Sequence, residues 1–254
     1  MSLYLPQSFA EWLPLTVPVV TLLFGLVCLL APTWWMRLSG LEGAGRGRGE
    51  IRSRFAGPFL GTGLAAIALQ QPLLFQILGL AWALAASGRV FNLIVVKDRT
   101  VINMAAIAIA VLFAIFSARA GFALDLAAPG VPAGAGQWLV LAATLVTAAL
   151  GIACWVAPAR MLAAMNLAAS DARPDSVGEP RGELAGFLIA VAGFALMSAN
   201  PFALLAIAGC WSMTALGRIL SMLTDGNAGL RDWGMLALES AVATVFILSV
   251  FGVV

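Results

Sequence analysis

Two arginines lie late in long apolar segments of this chain: Arg89 in LLFQILGLAWALAASGRVFNLIVV and Arg218 in FALLAIAGCWSMTALGRILSML. Each follows a glycine, and each has a tryptophan seven residues before it, Trp82 or Trp211. An arginine inside hydrocarbon is costly unless it is paired, hydrated or able to reach the membrane surface. Two chemistries suit these positions: an ion pair with an internal carboxylate, or recognition of a polar head group at the edge of an apolar pocket.

Arg218 has a carboxylate within reach on the next apolar segment. It lies seven residues before Asp225, and Glu239 lies seven residues after Asp232. At about 1.5 Å per helical residue, both side chains lie roughly 10 Å from the same boundary, on sequential antiparallel helices. The spacing therefore predicts a buried Arg218–Glu239 ion pair.

Arg89 has no such acid on the segment that follows it. Its alternatives are Glu50 at the start of the second segment, a hydrogen bond to Asn92, or an external anion. Two interpretations stay open for both arginines. The arginines join helices within each half, or they line a pocket near the inner leaflet with a tryptophan as its apolar floor. Candidate ligand-binding residues are Arg89, Trp82, Asn92, Glu50, Arg218, Trp211 and Ser221.

The two arginines belong to an internal repeat. They are 129 residues apart, and this offset makes ten of the 43 positions from 50 to 92 identical to positions 179 to 221. Upstream the offset becomes 126. The sequence therefore predicts a tandem duplication. Matched residues include Glu50 and Glu179, Arg52 and Arg181, Gly57 and Gly186, Pro72 and Pro201, Cys28 and Cys154, and Ala31-Pro32 and Ala157-Pro158.

Composition limits the function classes. The chain is 62% apolar and 10% charged, with a mean hydropathy of +1.00, whereas soluble domains carry about 25% charged residues. A net charge of +2 argues against a nucleic-acid partner. Histidine is absent, and the three cysteines lie in apolar segments, so we find no nucleophile–base pair and no ligand set. We expect no enzyme activity, no catalytic residue, no metal and no cofactor.

Eight apolar segments are long enough, or nearly so, to cross a hydrocarbon core of about 30 Å. They lie at 13–31, 55–71, 73–96, 101–120, 137–157, 183–199, 202–224 and 233–253. We expect an all-α integral membrane protein with eight transmembrane helices in two parallel four-helix repeats (4+4), related by a pseudo-twofold axis along the membrane normal. The predicted domains are the first repeat at 1–120, an external Gly/Pro/Ala linker at 121–136, and the second repeat at 137–254. Small residues in the second segment of each half favour close helix packing.

Charge predicts the orientation. Eleven basic residues follow the odd-numbered segments, and Arg119 alone lies on the other side, so both termini are expected outside, in the periplasm. The glycine-rich loops at 42–50 and 170–182 are expected to be flexible and solvated. Six tryptophans near predicted helix ends fit an interfacial belt: Trp12, Trp34, Trp35, Trp138, Trp155 and Trp233.

Each half resembles the domain of unknown function 4345, a bacterial family of small four-helix membrane proteins. Its pattern is Glu-x-Arg before a small-residue pair, then Gly-Arg-x-x-Ser, Asp-Gly and an acid in the fourth helix. The second half carries Glu179-Pro-Arg181, Ala185-Gly186, Gly217-Arg218-Ile-Leu-Ser221, Asp225-Gly226 and Glu239. The first half carries Glu50-Ile-Arg52, Ala56-Gly57 and Gly88-Arg89, but has Asn92 for the serine, no Asp-Gly, and Ala110 in place of Glu239. The resemblance implies a multi-pass protein of the bacterial inner (plasma) membrane and brings no established activity.

We therefore expect a polytopic inner-membrane protein that binds or transports an amphipathic anionic or lipid-like small molecule near the cytoplasmic leaflet. The alternative is a non-catalytic accessory or scaffold subunit of a membrane protein complex. Expected partners are membrane lipids, the small molecule, and a membrane protein partner or further copies of this chain, without nucleic acid.

Overall fold

The computed structural model describes residues 8–97, 99–119, 130–171, 173–198 and 200–253. The α-helices within these ranges are α1 (Phe9–Leu30), α2 (Pro32–Ser39), α3 (Gly45–Glu50), α4 (Ala56–Leu69), α5 (Pro72–Val95), α6 (Val101–Ala118), α7 (Ala135–Val156), α8 (Pro158–Ala164), α9 (Ala185–Met197), α10 (Pro201–Thr224) and α11 (Leu230–Val250). Two π-helical turns, Ile51–Phe55 and Pro180–Leu184, lead into α4 and α9, and a 3₁₀ turn spans Pro174–Val177. The strands β1 (Leu41–Glu42) and β2 (Ala168–Ala169) pair antiparallel.

Seven helical segments in the described part of the chain are long and apolar enough to cross a membrane, which is the pattern of a multi-pass membrane protein. The eighth predicted span, 55–71, contains α4, whose 14 residues are too short to cross alone. The helical chain continues back from α4 through Ile51–Phe55 into α3. Residues 1–7, 121–129 and 254 lie outside the described ranges, so the termini and most of the predicted linker do too.

The second predicted membrane helix of each half packs on the third helix of the other half: α4 packs on α10, and α9 packs on α5. Helix α4 lies against α1 and α10, while α9 lies against α7 and α5. Helices α6 and α11 pack outside, on α5 and α10. The inner helices are consequently more buried: 50% of the apolar window in α5 and 56% in α10, against 17% in α6 and in α11.

Glycines let these helices touch at their backbones. A methyl group built on Gly61 of α4 would meet the backbone of Gly209 and Cys210 on α10. One built on Gly186 of α9 would meet the backbone of Ala81 on α5. The predicted close packing of the second helices is confirmed, and at Gly61 and Gly186 the partner helix belongs to the opposite half.

The end of the bundle that holds the α1–α2, α7–α8 and α10–α11 connections is here termed the arginine-rich end. Its loops were predicted to be flexible and solvated, and for 42–50 this is wrong. Residues 45–50 form α3, and β1 pairs with β2 so that Leu41 lies opposite Ala169. Gly49 is buried, and a side chain there would meet the hydroxyl of Ser221. The glycines of residues 42–50 therefore allow other segments to pack closely against this loop, and they do not make it mobile.

Candidate functional site: two buried ion clusters and the cavities beside them

Arg89 lies on α5 and is buried among carboxylates of the second half. Its Nε donates to Glu183 Oε1 at 2.7 Å, and its Nη2 donates to Glu179 Oε1 at 3.0 Å and also to Glu183 Oε1. Its Nη1 lies 3.5 Å from Asn103 Oδ1 on α6. One guanidinium therefore faces two carboxylates. The predicted partners Glu50 and Asn92 are wrong for this arginine.

Arg218 occupies the corresponding place on α10. Nε and Nη2 donate to the two oxygens of Glu239 at 2.8 and 2.6 Å, a bidentate pair on α11. Nη2 also lies 3.4 Å from Glu50 Oε2 and 3.3 Å from Ser53 Oγ, and Nη1 lies 3.9 Å from Asp232. The predicted Arg218–Glu239 ion pair is confirmed.

The two π-helical turns position these acids. Glu50 and Ser53 lie at the turn that enters α4, and Glu179 and Glu183 lie at the turn that enters α9. Each turn packs against the third helix of the other half, α10 or α5. The expectation that the arginines join helices within each half is confirmed for Arg218 and Glu239, but it is wrong for Arg89, whose carboxylates come from the other half. Isolated π turns inside helices occur frequently at functional sites.

The glycine before each arginine makes this contact close. A methyl group on Gly88 would meet the carbonyl of Arg181, and one on Gly217 would meet the carbonyl of Arg52. Helix and π turn therefore touch backbone to backbone at both sites. This explains why a glycine precedes each buried arginine in the sequence.

One arginine in each π turn, Arg52 or Arg181, binds backbone and polar groups nearby. Arg52 donates to the Leu29 carbonyl and makes a 2.8 Å ion pair with Asp225. Arg181 donates to the Trp155 carbonyl at 3.0 Å and to Asn92 Oδ1. Asp225 caps the C-terminus of α10.

The two mid-segment tryptophans are fixed by threonines. Trp82 Nε1 donates to Thr21 Oγ1 at 3.0 Å, and Trp211 Nε1 donates to Thr147 Oγ1 at 3.0 Å. All four side chains are buried. Each indole is thereby held in one orientation with its ring available to line a cavity.

A cavity of about 230 Å³, here called the first cavity, lies between Trp82 and the Arg89 cluster. Trp82 lies between Phe59 and Phe113, with ring centroids 6.2 and 5.1 Å away. Apolar side chains form most of the wall, and its polar members are Ser39, Arg89, Glu179 and Glu183. The apolar residues are Phe24, Trp35, Leu38, Phe59, Trp82, Ile102, Ala105, Ala106 and Ile109.

Two buried polar atoms of residues that line this cavity have no hydrogen-bond partner among the described residues. They are Oε2 of Glu183, the oxygen that Arg89 does not bind, and Nε1 of Trp35. Both side chains are 6% exposed, so bulk water does not solvate them. Trp35 was predicted to lie in an interfacial belt; this is wrong for Trp35, because α2 turns it inward, whereas its neighbour Trp34 is 51% exposed.

A second cavity of about 200 Å³ lies beside Trp211. Its wall is almost wholly apolar and includes two thiols and three thioethers, with Arg54 and Glu239 at the polar edge. Arg54 Nε makes a 2.9 Å ion pair with Glu50, and its Nη2 lies 3.9 Å from the Met235 sulfur. The sulfur-bearing residues are Cys154, Cys210, Met161, Met165 and Met235.

The cavities occupy related positions but differ in polarity. At the offset of 129, Trp82 corresponds to Trp211 and Glu183 corresponds to Arg54. At the offset of 126, Trp35 corresponds to Met161. An acid and an indole N–H on the first wall are therefore replaced by a guanidinium and a thioether on the second.

Among the predicted site residues, Arg89 and Trp82 line the first cavity, and Trp211 lines the second. The remaining four do not line either cavity. Glu50 binds Arg218 and Arg54, Asn92 binds Arg181, and Ser221 accepts a 3.1 Å hydrogen bond from Asn227. These groups organise the clusters behind the walls.

Sequence reasoning missed Glu183, Trp35 and Arg54 as wall residues. Glu183 and Arg54 carry opposite charges at matched positions of the predicted internal repeat, and this mismatch was the available signal. Trp35 gave no signal, because its position at a helix end fits an interfacial residue equally well.

The comparison with known proteins places part of the chain in a family. Residues 135–250, which run from the start of α7 to the end of α11, match the family described as Domain of unknown function (DUF4345). No curated protein and no solved structure matches the chain. The predicted family resemblance is confirmed for the second half.

Proposed function

We propose that this chain, which through residues 135–250 belongs to the domain of unknown function 4345 family, is a multi-pass membrane protein that binds lipid-like molecules inside its helix bundle. One observation carries the proposal. An apolar cavity recurs beside Trp82 and beside Trp211, and each ends at a buried ion cluster. An apolar space with a few converging polar groups is the usual form of a small-molecule site.

The size and composition of the walls favour an apolar chain. An engineered apolar cavity of about 150 Å³ takes up benzene, so the larger volumes here suit a segment of an acyl or isoprenoid chain. Ile102 and Ile109 line the first cavity and are also 44% and 40% exposed on α6. This exposure supports entry from the side, directly from the bilayer.

The polar edges favour different head groups. An anion suits the second cavity, where Arg54 pairs with Glu50 through Nε and, among the described residues, its Nη2 has the weak thioether acceptor of Met235 nearby. An anion does not suit the first cavity, because Arg89 already faces Glu179 and Glu183 there. The anionic ligand expected from the sequence is therefore proposed for the second cavity alone.

We also propose that the chain consists of two copies of the family's four-helix unit, with α4 as the eighth membrane helix and the repeats related by a pseudo-twofold axis along the membrane normal. Recurrent local geometry supports this proposal. Ala31 and Ala157 interrupt their helices with nearly the same φ and ψ, −127° and 54° against −129° and 55°. The π turns recur at an offset of 129, and the Trp–Thr hydrogen bonds recur at 3.0 Å.

The arginine-rich end is proposed to face the cytoplasm of a bacterium, with both termini in the periplasm. The cavities would then lie near the cytoplasmic leaflet of the inner membrane. The proposal is one of binding without catalysis; movement of the ligand across the membrane is not needed to explain the two sites.

Native mass spectrometry of the detergent-extracted protein tests the proposal. The wild type should retain lipid-like adducts at up to two per chain. Ala106→Trp fills the first cavity and should remove one adduct, whereas Ala108→Trp, on an exposed face of the same helix, should not. Val242→Trp should act likewise on the second cavity, with exposed Ala241→Trp as its control. Adducts that survive both cavity-filling changes would contradict the proposal.

An accessory role in a membrane complex is the second candidate. It is favoured by the outer helices α6 and α11, whose apolar windows are only 17% buried. A stably bound protein partner in the same mass spectra, without a lipid-like adduct, would favour that role. Copies of this chain bound to one another would be recognised by their mass.

A further inference from the structure

We infer that the first cavity recognises the hydroxyl group of a neutral, hydroxyl-headed amphiphile, such as a long-chain alcohol. The inference rests on the proposed function and specifies its ligand class at one site. It starts from two buried atoms of wall residues that have no partner among the described residues, Glu183 Oε2 and Trp35 Nε1. When Glu183 is ionised, its Oε2 can accept a hydrogen bond but cannot donate one, whereas Trp35 Nε1 can donate a hydrogen bond but cannot accept one.

A hydroxyl group satisfies both requirements at once. Its O–H donates to Glu183 Oε2 while its oxygen accepts from Trp35 Nε1. Both protein groups are 6% exposed, and leaving either of them unpaired is unfavourable. The rest of the wall, including Phe24, Leu38 and Ile109, suits the apolar chain attached to such a head group.

Other head groups match less well. A carboxylate or phosphate would accept from Trp35 but would stand beside Glu183 and Glu179, where two carboxylates already face the one guanidinium of Arg89. An ammonium group would donate to Glu183 and leave the Trp35 N–H without an acceptor. Among these head groups, the hydroxyl group alone pairs the donor and the acceptor together.

The second cavity is the internal comparison. The positions of Glu183 and Trp35 are taken there by Arg54 and Met161. This wall therefore lacks the carboxylate oxygen and the indole N–H that would hold a hydroxyl group. The preference for an alcohol should be confined to the first cavity.

Photolabelling of the full chain in lipid nanodiscs tests the inference. The probes are three amphiphiles with the same diazirine-bearing alkyl chain and an alcohol, carboxylic acid or amine head group. Labelled residues are mapped by peptide mass spectrometry. In the first cavity we expect the alcohol to exceed the acid by roughly five-fold or more, because only the alcohol pairs both groups. Equal labelling there by all three probes, or stronger labelling by the acid or amine, would overturn the inference.

Two variants sharpen the result. Trp35→Phe removes the donor and should lower labelling of the first cavity by the alcohol about three- to ten-fold, whereas the exposed neighbour change Trp34→Phe should leave it unaltered. Glu183→Gln keeps an oxygen for Arg89 and puts an N–H₂ group in the place of Oε2, so it should abolish the preference for the alcohol over the acid. A retained preference in both variants would overturn the inference even if each variant folds normally.

The outcomes separate the two proposals. If no probe labels either cavity, the proposed function fails and the hydroxyl site fails with it. If the acid labels the second cavity while no alcohol labels the first, lipid binding stands and the hydroxyl site alone is wrong.

Discussion

Glu183 Oε1 accepts a 2.7 Å hydrogen bond from Arg89 Nε, although the two residues are 94 positions apart and lie in opposite halves of the chain. The reciprocal contact joins Arg218 to Glu50 at 3.4 Å. Each half therefore supplies a carboxylate to the buried arginine of the other. Separation of the halves would leave charges without partners, which is strongly unfavourable. We expect the bundle to unfold as one cooperative unit.

Removal of the Glu239 carboxylate should destabilise the protein strongly. In Glu239→Ala the guanidinium of Arg218 keeps longer contacts with Ser53, Glu50 and Asp232, at 3.3, 3.4 and 3.9 Å. Loss of one partner of a buried pair costs about 3–5 kcal/mol. Thermal unfolding in detergent should show a lower midpoint. The double change Arg218→Met with Glu239→Leu should recover most of the loss, and exposed Arg99→Ala should have little effect.

Gly61→Ala tests the contact between α4 and α10. The added methyl group would meet the backbone of Gly209 and Cys210, which cannot move aside as a flexible side chain can. We expect a loss of roughly 1–3 kcal/mol in unfolding free energy, the usual cost of overpacking. Gly193→Ala is the matched control, because it lies within α9 and its methyl group would have open space. The control should be neutral or slightly stabilising, since alanine favours helix.

Thr21→Val and Thr147→Val should each leave a buried indole N–H without its acceptor. Trp82 and Trp211 donate to these hydroxyls at 3.0 Å. Valine preserves the shape, so the cost should approach that of an unsatisfied buried donor, about 1–3 kcal/mol. Thr244→Val removes a similar hydroxyl from an exposed site, where it donates only to its own helix at 2.8 Å. Equal stability of all three variants would show that the indole hydrogen bonds contribute little.

The proposed orientation can be tested with Lys97, the only lysine of the chain, which is exposed between α5 and α6. A membrane-impermeant amine reagent should label Lys97 only after cells are lysed, because this loop is proposed to be cytoplasmic. Gly130→Lys introduces an amine into the exposed segment before α7 and should be labelled in intact cells. Peptide mapping distinguishes the two sites. Labelling of Lys97 in intact cells would reverse the proposed orientation.

Much of the local structure follows from the sequence. Proline at the first helical position explains why α5 begins at Pro72 and α10 at Pro201. The depth of Arg218 and Glu239 on sequential antiparallel helices was sufficient to predict their ion pair, now found at 2.6 Å. In these cases the decisive distances lie along one helix or between neighbours in the chain.

The sequence by itself determined the apolar spans and the one ion pair that joins sequential helices, because hydropathy and helical rise act locally. Only the tertiary structure decided that α4 packs on α10 and that α9 packs on α5, each in the opposite half. Matched glycines and acids fit a partner in either half equally well, so their spacing could not choose between them. Packing between segments far apart in the chain brings Glu50 to Arg218 and Glu183 to Arg89. It also buries Trp35, which lines the first cavity.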